Sequence, residues 1–215
     1  MALSARDKVH IVLVTAALVS PPAVVASGGS AVPRLSSAVY RDAGGEDAVA
    51  PDISRVAVAD DRRTLTFRVR IANRLEASSD MGLQIVIDSD RRQATGNQLL
   101  VYSLGADYLI QMLAGTVRLL RWDEPSRRWV ESASQPNWSY VSGRATIGSP
   151  AAALRNPTDF LFEVSTASGL VVEADGIDIT TAHFDFAPDA GRGGWRFRVA
   201  QPHAASRWRL ERRVH

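Results

Sequence analysis

The run "TLTFRVRIA", Thr64 to Ala72, sets the strongest constraint on what this chain can fold into. Leu65, Phe67, Val69 and Ile71 alternate with Thr66, Arg68 and Arg70. Successive side chains of a strand point to opposite faces, so this run has one apolar face and one wet face. A helix would scatter the same residues around its circumference. The chain must therefore build a sheet, and a second layer must cover its apolar side.

Other segments repeat the rhythm. "ISRVAVA", Ile53 to Ala59, reads as a strand stopped by Asp60 and Asp61, and "MGLQIVID" as another. The leucine-rich stretch 107–122 alternates on both sides of Ala114-Gly115, which predicts two strands and a tight turn rather than a helix. "DEPSRR" reverses the chain before Trp129, and "SYVSGRATIG" predicts a hairpin about Ser142-Gly143. "DFLFEVSTASGLVVEADG" gives strand, turn, strand, and "GWRFRVA" closes the series. Only "SPAAALRNP" offers a helix, with Ser149 as cap, Pro150 at the first helical position and an end near Asn156-Pro157. The expected class is all-β: a β-sandwich of roughly nine to eleven mostly antiparallel strands with one short helix. Its core should contain Leu65, Phe67, Val69, Ile71, Leu83, Ile85, Ile87, Phe160, Phe162, Val164, Trp195, Phe197 and Val199.

The ends read differently. Residues 1–31 have the order of a signal peptide: a basic start, the apolar run Ile11 to Val19, Pro21-Pro22, then small residues suited to cleavage after Ala26 or Ala31. The apolar run falls short of the roughly 20 residues that span a bilayer. The expectation is an exported, secreted or extracytoplasmic protein with no membrane span in its mature chain. Residues 32–201 form the single sandwich domain, and 202–215 a basic, solvated tail. The chain has no cysteine, which removes disulfides, thiol chemistry and Cys-ligated zinc. Lys+Arg total 25 against 23 Asp+Glu, too balanced to indicate a nucleic-acid partner by count.

Candidate chemistry starts at "IDSDRRQATG", residues 87–96. Asp88 and Asp90 at alternating positions, with Thr95 and nearby carbonyls, offer the hard oxygens that calcium takes. The helix-loop-helix calcium motif does not fit, because Arg92, Gln93 and Leu99 occupy its fifth, sixth and twelfth positions. Arg91 and Arg92 could neutralise the aspartates instead. A second acidic group joins Asp42 and Asp47, beside Glu46 and Asp52, to Asp185 and Asp189 near the other end, if first and last strands lie close. Trp122, Trp129, Trp138 and Tyr140 fall close together and are the candidate ligand-binding rings, since sugars stack on exposed indoles. Trp122 and Trp129 also face each other across the "DEPSRR" turn, as a packed hairpin pair would. Hydrolysis would need two carboxylates across a cleft, for which Glu163 and Glu173 are the candidates. No Gly-x-Ser-x-Gly or His-Glu-x-x-His motif occurs, so no catalytic residue is assigned.

The order "DAGGEDAVAPDISRVAVADD", "TLTFRVRIANR", "LQIVIDSDRRQATG", "GADYLI", "VRLLRWD" and "FDFAPDAGRGGWRFRV" resembles a group of exported bacterial single-domain proteins of undefined role. Their domain is similar to the DOMON and family 9 carbohydrate-binding module sandwiches. The resemblance covers Tyr40 to Ala200. It implies a sandwich without catalysis that binds sugar or haem in some relatives and often holds structural calcium. Asp88, Asp90, Thr95 and Gly96 fit the group's turn; Arg92 stands where others carry Asn or Asp. A haem reading would draw on Met81, Met112 and His183. The expectation is a secreted, non-catalytic binding domain for carbohydrate, calcium-stabilised, with a polysaccharide or cell-surface glycan as partner and no nucleic acid. The alternative is an extracellular structural or protein-interaction domain, in which those rings are buried and an apolar sheet face or edge stays open.

Overall fold

A computed structural model of the chain describes residues 36–99, 104–172, 176–189 and 193–199. The expected leader with its cleavage points, the tail 202–215 and Glu173 lie outside them.

The strands in chain order are β1 (Ser36–Arg41), β2 (Ile53–Asp60), β3 (Thr64–Ile71), β4 (Gly82–Asp88), β5 (Asn97–Leu99), β6 (Leu104–Ala106), β7 (Tyr108–Leu113) and β8 (Thr116–Asp123). They continue with β9 (Arg128–Glu131), β10 (Asn137–Tyr140), β11 (Arg144–Pro150), β12 (Asp159–Ser168), β13 (Val171–Val172), β14 (Ile177–Asp178), β15 (His183–Ala187) and β16 (Trp195–Arg198). A five-stranded sheet has the order β1-β2-β3-β11-β10. A seven-stranded sheet has the order β15-β12-β4-β7-β8-β9, with β16 also on β12. Two short hairpins, β5-β6 and β13-β14, stand beside them. All pairs in the large sheets are antiparallel, so the all-β class holds and the arrangement is sandwich-like.

Alternation explains the packing. On β3 the burial string repeats strictly, with Leu65, Phe67, Val69 and Ile71 sealed and the residues between them half-exposed. Their partners across the layer are Leu83, Ile85 and Ile87 of β4, Ile110 of β7 and Phe160, Phe162 and Val164 of β12, all in one buried cluster. Rings organise its centre: Phe67 meets Phe162 edge-on at 5.5 Å, and Phe160 lies 5.4 Å from Phe197. Trp195 and Val199 prove to be partly buried and packed against this cluster rather than inside it.

β12 is long enough to pair twice along one edge. β16 takes Asp159 to Phe162, and β15 takes Val164 to Ser168. A second, smaller cluster of Val86, Ala106, Leu109, Leu120 and Trp129 covers part of the outer face of the seven-stranded sheet.

Three expectations need correction. The helix over "SPAAALRNP" is a single 3-10 turn, Ala151–Leu154; Ser149 belongs to β11 and makes no cap bond there. The strands outnumber the expected range because β1, β14, β15 and the β5-β6 hairpin were not anticipated. β1 hides in a polar, glycine-rich context, and β15 reads as an acidic turn because its "HFDFA" places aromatic residues on the outward side. Finally, Glu163, the cleft-carboxylate candidate, is 1% exposed on β12, opposite Val86 of β4.

Candidate metal centre

The antiparallel pairing of β4 with β7 places Ile87 opposite Tyr108. The same register, continued by one residue, sets Asp88 beside Asp107. Oxygens of Asp88, Asp90 and Asp107 lie within 4.8 Å of one another. Asp107 was missed in the sequence because it is distant along the chain and stands alone between two apolar runs. The only available signal was the register of two strands whose pairing the sequence does not state.

Each carboxylate is held in place. Asp88 is 1% exposed; its Oδ1 accepts the Arg92 N–H at 3.2 Å, while its buried Oδ2 has no hydrogen-bond partner. Asp90 Oδ1 accepts the Arg92 N–H at 2.9 Å, and the Thr95 hydroxyl donates to the same carboxylate at 3.0–3.1 Å. Thr95 therefore orients Asp90. Asp107 Oδ2 accepts both the N–H and the hydroxyl of Ser89, at 2.8 and 2.6 Å. Its backbone is locked between Ile87 O and the Trp122 N–H.

The loop that carries Asp90 is pressed onto β6. A Cβ built on Gly105 would fall 2.0 Å from Thr95 O and 2.4 Å from Arg92 O. Gly96, at φ +73°, would place one 2.6 Å from Ala106 O. Both glycines are required by this close approach, which brings Asp107, two residues beyond Gly105, against the loop.

Burial raises the Asp88 carboxyl to about 6, opposed by backbone N–H groups of Arg91 and Gly105 and helped by the charges of Asp107 and Asp90. Neither arginine of the loop cancels this charge with its guanidinium. Arg91 pairs with Asp159 at 3.5 Å, a carboxylate already gripped by Arg196, and Arg92 contributes its backbone N–H. A buried, unpartnered carboxylate oxygen facing two more carboxylates is costly unless a proton or a cation joins it.

A second group forms where the first and last parts of the domain meet. Oxygens of Asp42, Glu46 and Asp189 also lie within 4.8 Å of one another. Asp42 Oδ2 is buried without a hydrogen-bond partner, and the carboxyl is pushed up to about 7 by burial, then by the charges of Asp185, Asp189, Glu46 and Asp52. The other two expected members are engaged elsewhere. Asp185 is 3% exposed and receives the Ile53 N–H at 2.6 Å and the Phe186 N–H at 3.0 Å. Asp47 caps Val49 N–H at 2.8 Å and lies 2.8 Å from His183 Nδ1.

The four rings do not make one platform. Trp122 and Trp129 belong to the seven-stranded sheet, directly opposite each other, edge to face at 68°. Trp129 is 8% exposed and packs in the smaller outer cluster. Trp138 and Tyr140 belong to the other sheet and pack toward the main core, and the Tyr140 hydroxyl donates to Arg74 O at 2.9 Å. Indoles this close along the chain separate because the turn after β9 carries it to the second layer. The residues considered for haem are also committed: Met81 and Met112 are sealed in the core, and His183 is bonded to Asp47.

No family model, no curated protein and no solved structure matches the chain. No helix among the described residues is long and apolar enough to cross a membrane.

Proposed function

We propose that this chain is a secreted, non-catalytic carbohydrate-binding domain, of the DOMON and family 9 module kind, whose fold is completed by calcium. The observation that supports the cation is the Asp88 Oδ2 atom, buried and without a hydrogen-bond partner, within reach of Asp90 and Asp107. Three carboxylates and no nitrogen or sulfur ligand make a hard, all-oxygen set, the chemistry that calcium and magnesium prefer. Calcium fits the mixed loop-and-strand origin of these donors, because it tolerates irregular geometry where magnesium demands a near-ideal octahedron. The Asp42, Glu46 and Asp189 group is a second place for an ion, on the seam between the two sheets.

The test is thermal unfolding of the full chain in calcium, in magnesium and in chelator, with bound metal measured by elemental analysis. A ligand held only by the native state adds about 2.7 kcal/mol at a hundredfold excess over Kd. A calcium-dependent rise in Tm of roughly 5–11 °C, absent in Asp88→Ala/Asp90→Ala, supports the cation. A Tm indifferent to calcium, with no metal in the protein, refutes the cation.

A further inference from the structure

The outer face of the five-stranded sheet carries an arrangement that folding alone does not favour. Arg41 stands opposite Arg55, Arg55 opposite Arg70, and Arg70 opposite Arg144. Four arginines thus form one unbroken row across β1, β2, β3 and β11. Arg68 follows two positions along β3, opposite Ala57 on one side and Thr146 on the other. Like charges directly opposite each other in a sheet repel, and no outward position on these strands is acidic. Arg41, Arg55 and Arg144 are exposed and, among the described residues, in no ion pair. Arg70 is half-buried and donates to Ser142 O.

The floor between the arginines is low. Ala57 and Ala59 lie beneath Arg55, Arg68 and Val39, and the trough they line encloses about 470 Å³. Acids are sparse toward both ends of the sequence: residues 1–35 contain one, Asp7, and residues 200–215 one, Glu211.

Resting on the reading of this chain as a carbohydrate-binding domain, we propose that the arginine trough is its ligand site and that the ligand is an acidic polysaccharide bearing carboxylate or sulfate groups. The guanidinium fork matches such anions with two parallel hydrogen bonds. Neighbouring arginines in the row are one strand spacing apart, about 4.8 Å, so a linear polymer lying across the strands meets a cation at each step. A chain of sugars is thin enough to lie on an alanine floor between long side chains. Single-stranded nucleic acid would need aromatic side chains on which to stack its bases, and no outward position on these strands is aromatic.

The experiment measures binding of the full chain to hyaluronan and to dextran sulfate across a salt series, with neutral dextran and duplex DNA as competitors. The expected result is binding to one or both acidic polymers that weakens with salt and is not displaced by dextran. Arg55→Ser and Arg144→Ser are exposed changes; each is expected to weaken binding by roughly tenfold or more, the size of one lost charge-assisted hydrogen bond. Both variants should keep the calcium-dependent rise in Tm, which separates loss of this site from failure of the cation reading. Because each relieves repulsion in the row, neither should lower Tm. Undiminished binding by the double variant overturns the proposal, as does no binding to either polymer at low salt. Displacement of the polysaccharide by DNA at lower concentration overturns it in favour of a nucleic-acid partner.

Discussion

Replacing Asp88 with asparagine separates a buried carboxylate that waits for a cation from one that is merely protonated. In chelator, burial lifts its folded carboxyl from the ordinary 3.8 to about 6. A raised carboxylate stabilises the fold most below the unfolded value and loses that contribution as pH rises through the folded one. The gap is roughly 2 units, and at 1.36 kcal/mol per unit the ionised group costs the apo fold about 3 kcal/mol at neutral pH. Asparagine has nearly the same shape and no charge. In chelator at pH 8, Asp88→Asn is therefore expected to be more stable than the parent by up to that amount. For a domain of this size 1 kcal/mol moves Tm by about 2–4 °C, which makes the gain roughly 6–12 °C. The advantage should shrink to near zero by pH 4. In calcium the order should reverse, because only the parent gains from the ion. Paired melts followed by circular dichroism, with and without calcium from pH 4 to 8, read all four corners. A difference between variant and parent that does not change with pH in chelator would refute the burial argument. A calcium rise retained by Asp88→Asn would refute its role as a ligand.

Gly105→Ala is expected to destabilise the domain and abolish the calcium rise in Tm, since its Cβ has no room against Thr95 O and Arg92 O; calcium titration with a Tm readout checks both. Phe162→Ala removes a ring that touches Tyr40, Phe67, Phe160 and Trp195, and should cost about 3–5 kcal/mol in urea unfolding while leaving the denaturant slope unchanged. Tyr40→Phe deletes the bond to Arg196 O and keeps the stacking on Trp195; a loss of about 0.5–1.5 kcal/mol is expected by the same measurement. Trp129→Ala should lower stability by about 3 kcal/mol yet leave hyaluronan binding intact, because its ring packs on the opposite sheet from the arginine row.

Sequence alternation revealed the strands that bury one face. β3, β4, β7 and β8 stand close to where their rhythm puts them, and the Ala114-Gly115 turn joins two strands where leucine content alone would suggest a helix. β1 was invisible because its inward row is only Ala38 and Tyr40 among polar or exposed residues, and β15 because its most buried positions are Asp185 and Ala187 while its phenylalanines lie on the other side. The site was half legible for a related reason. Asp88 and Asp90 announce themselves by local spacing, and the meeting of Asp42 with Asp189 follows from bringing the ends of a sandwich together. Asp107 depends on register, which is a long-range property. The aromatic set misled because proximity along the chain says nothing about which of two layers a hairpin will join.

The bond from Ile53 to Asp185 has a mechanical consequence. It joins the five-stranded sheet to the seven-stranded one, and beside it Thr166 donates to Pro51 O and Ser168 to Val49 O. All three fall at one end of β12, level with Leu83, while Asp88 lies level with Leu161 at the other. Five residues of strand separate the two levels, about 17 Å. At the Leu161 level the layers are stitched as well, by the Tyr40 hydroxyl on Arg196 O and the Tyr40 ring stacked on Trp195. Among the described residues the end at Thr166 carries the denser set of cross-layer bonds, so amide exchange should spread from Asp88 toward Thr166, and a bound ion at the lighter end would add a second clasp beside Tyr40.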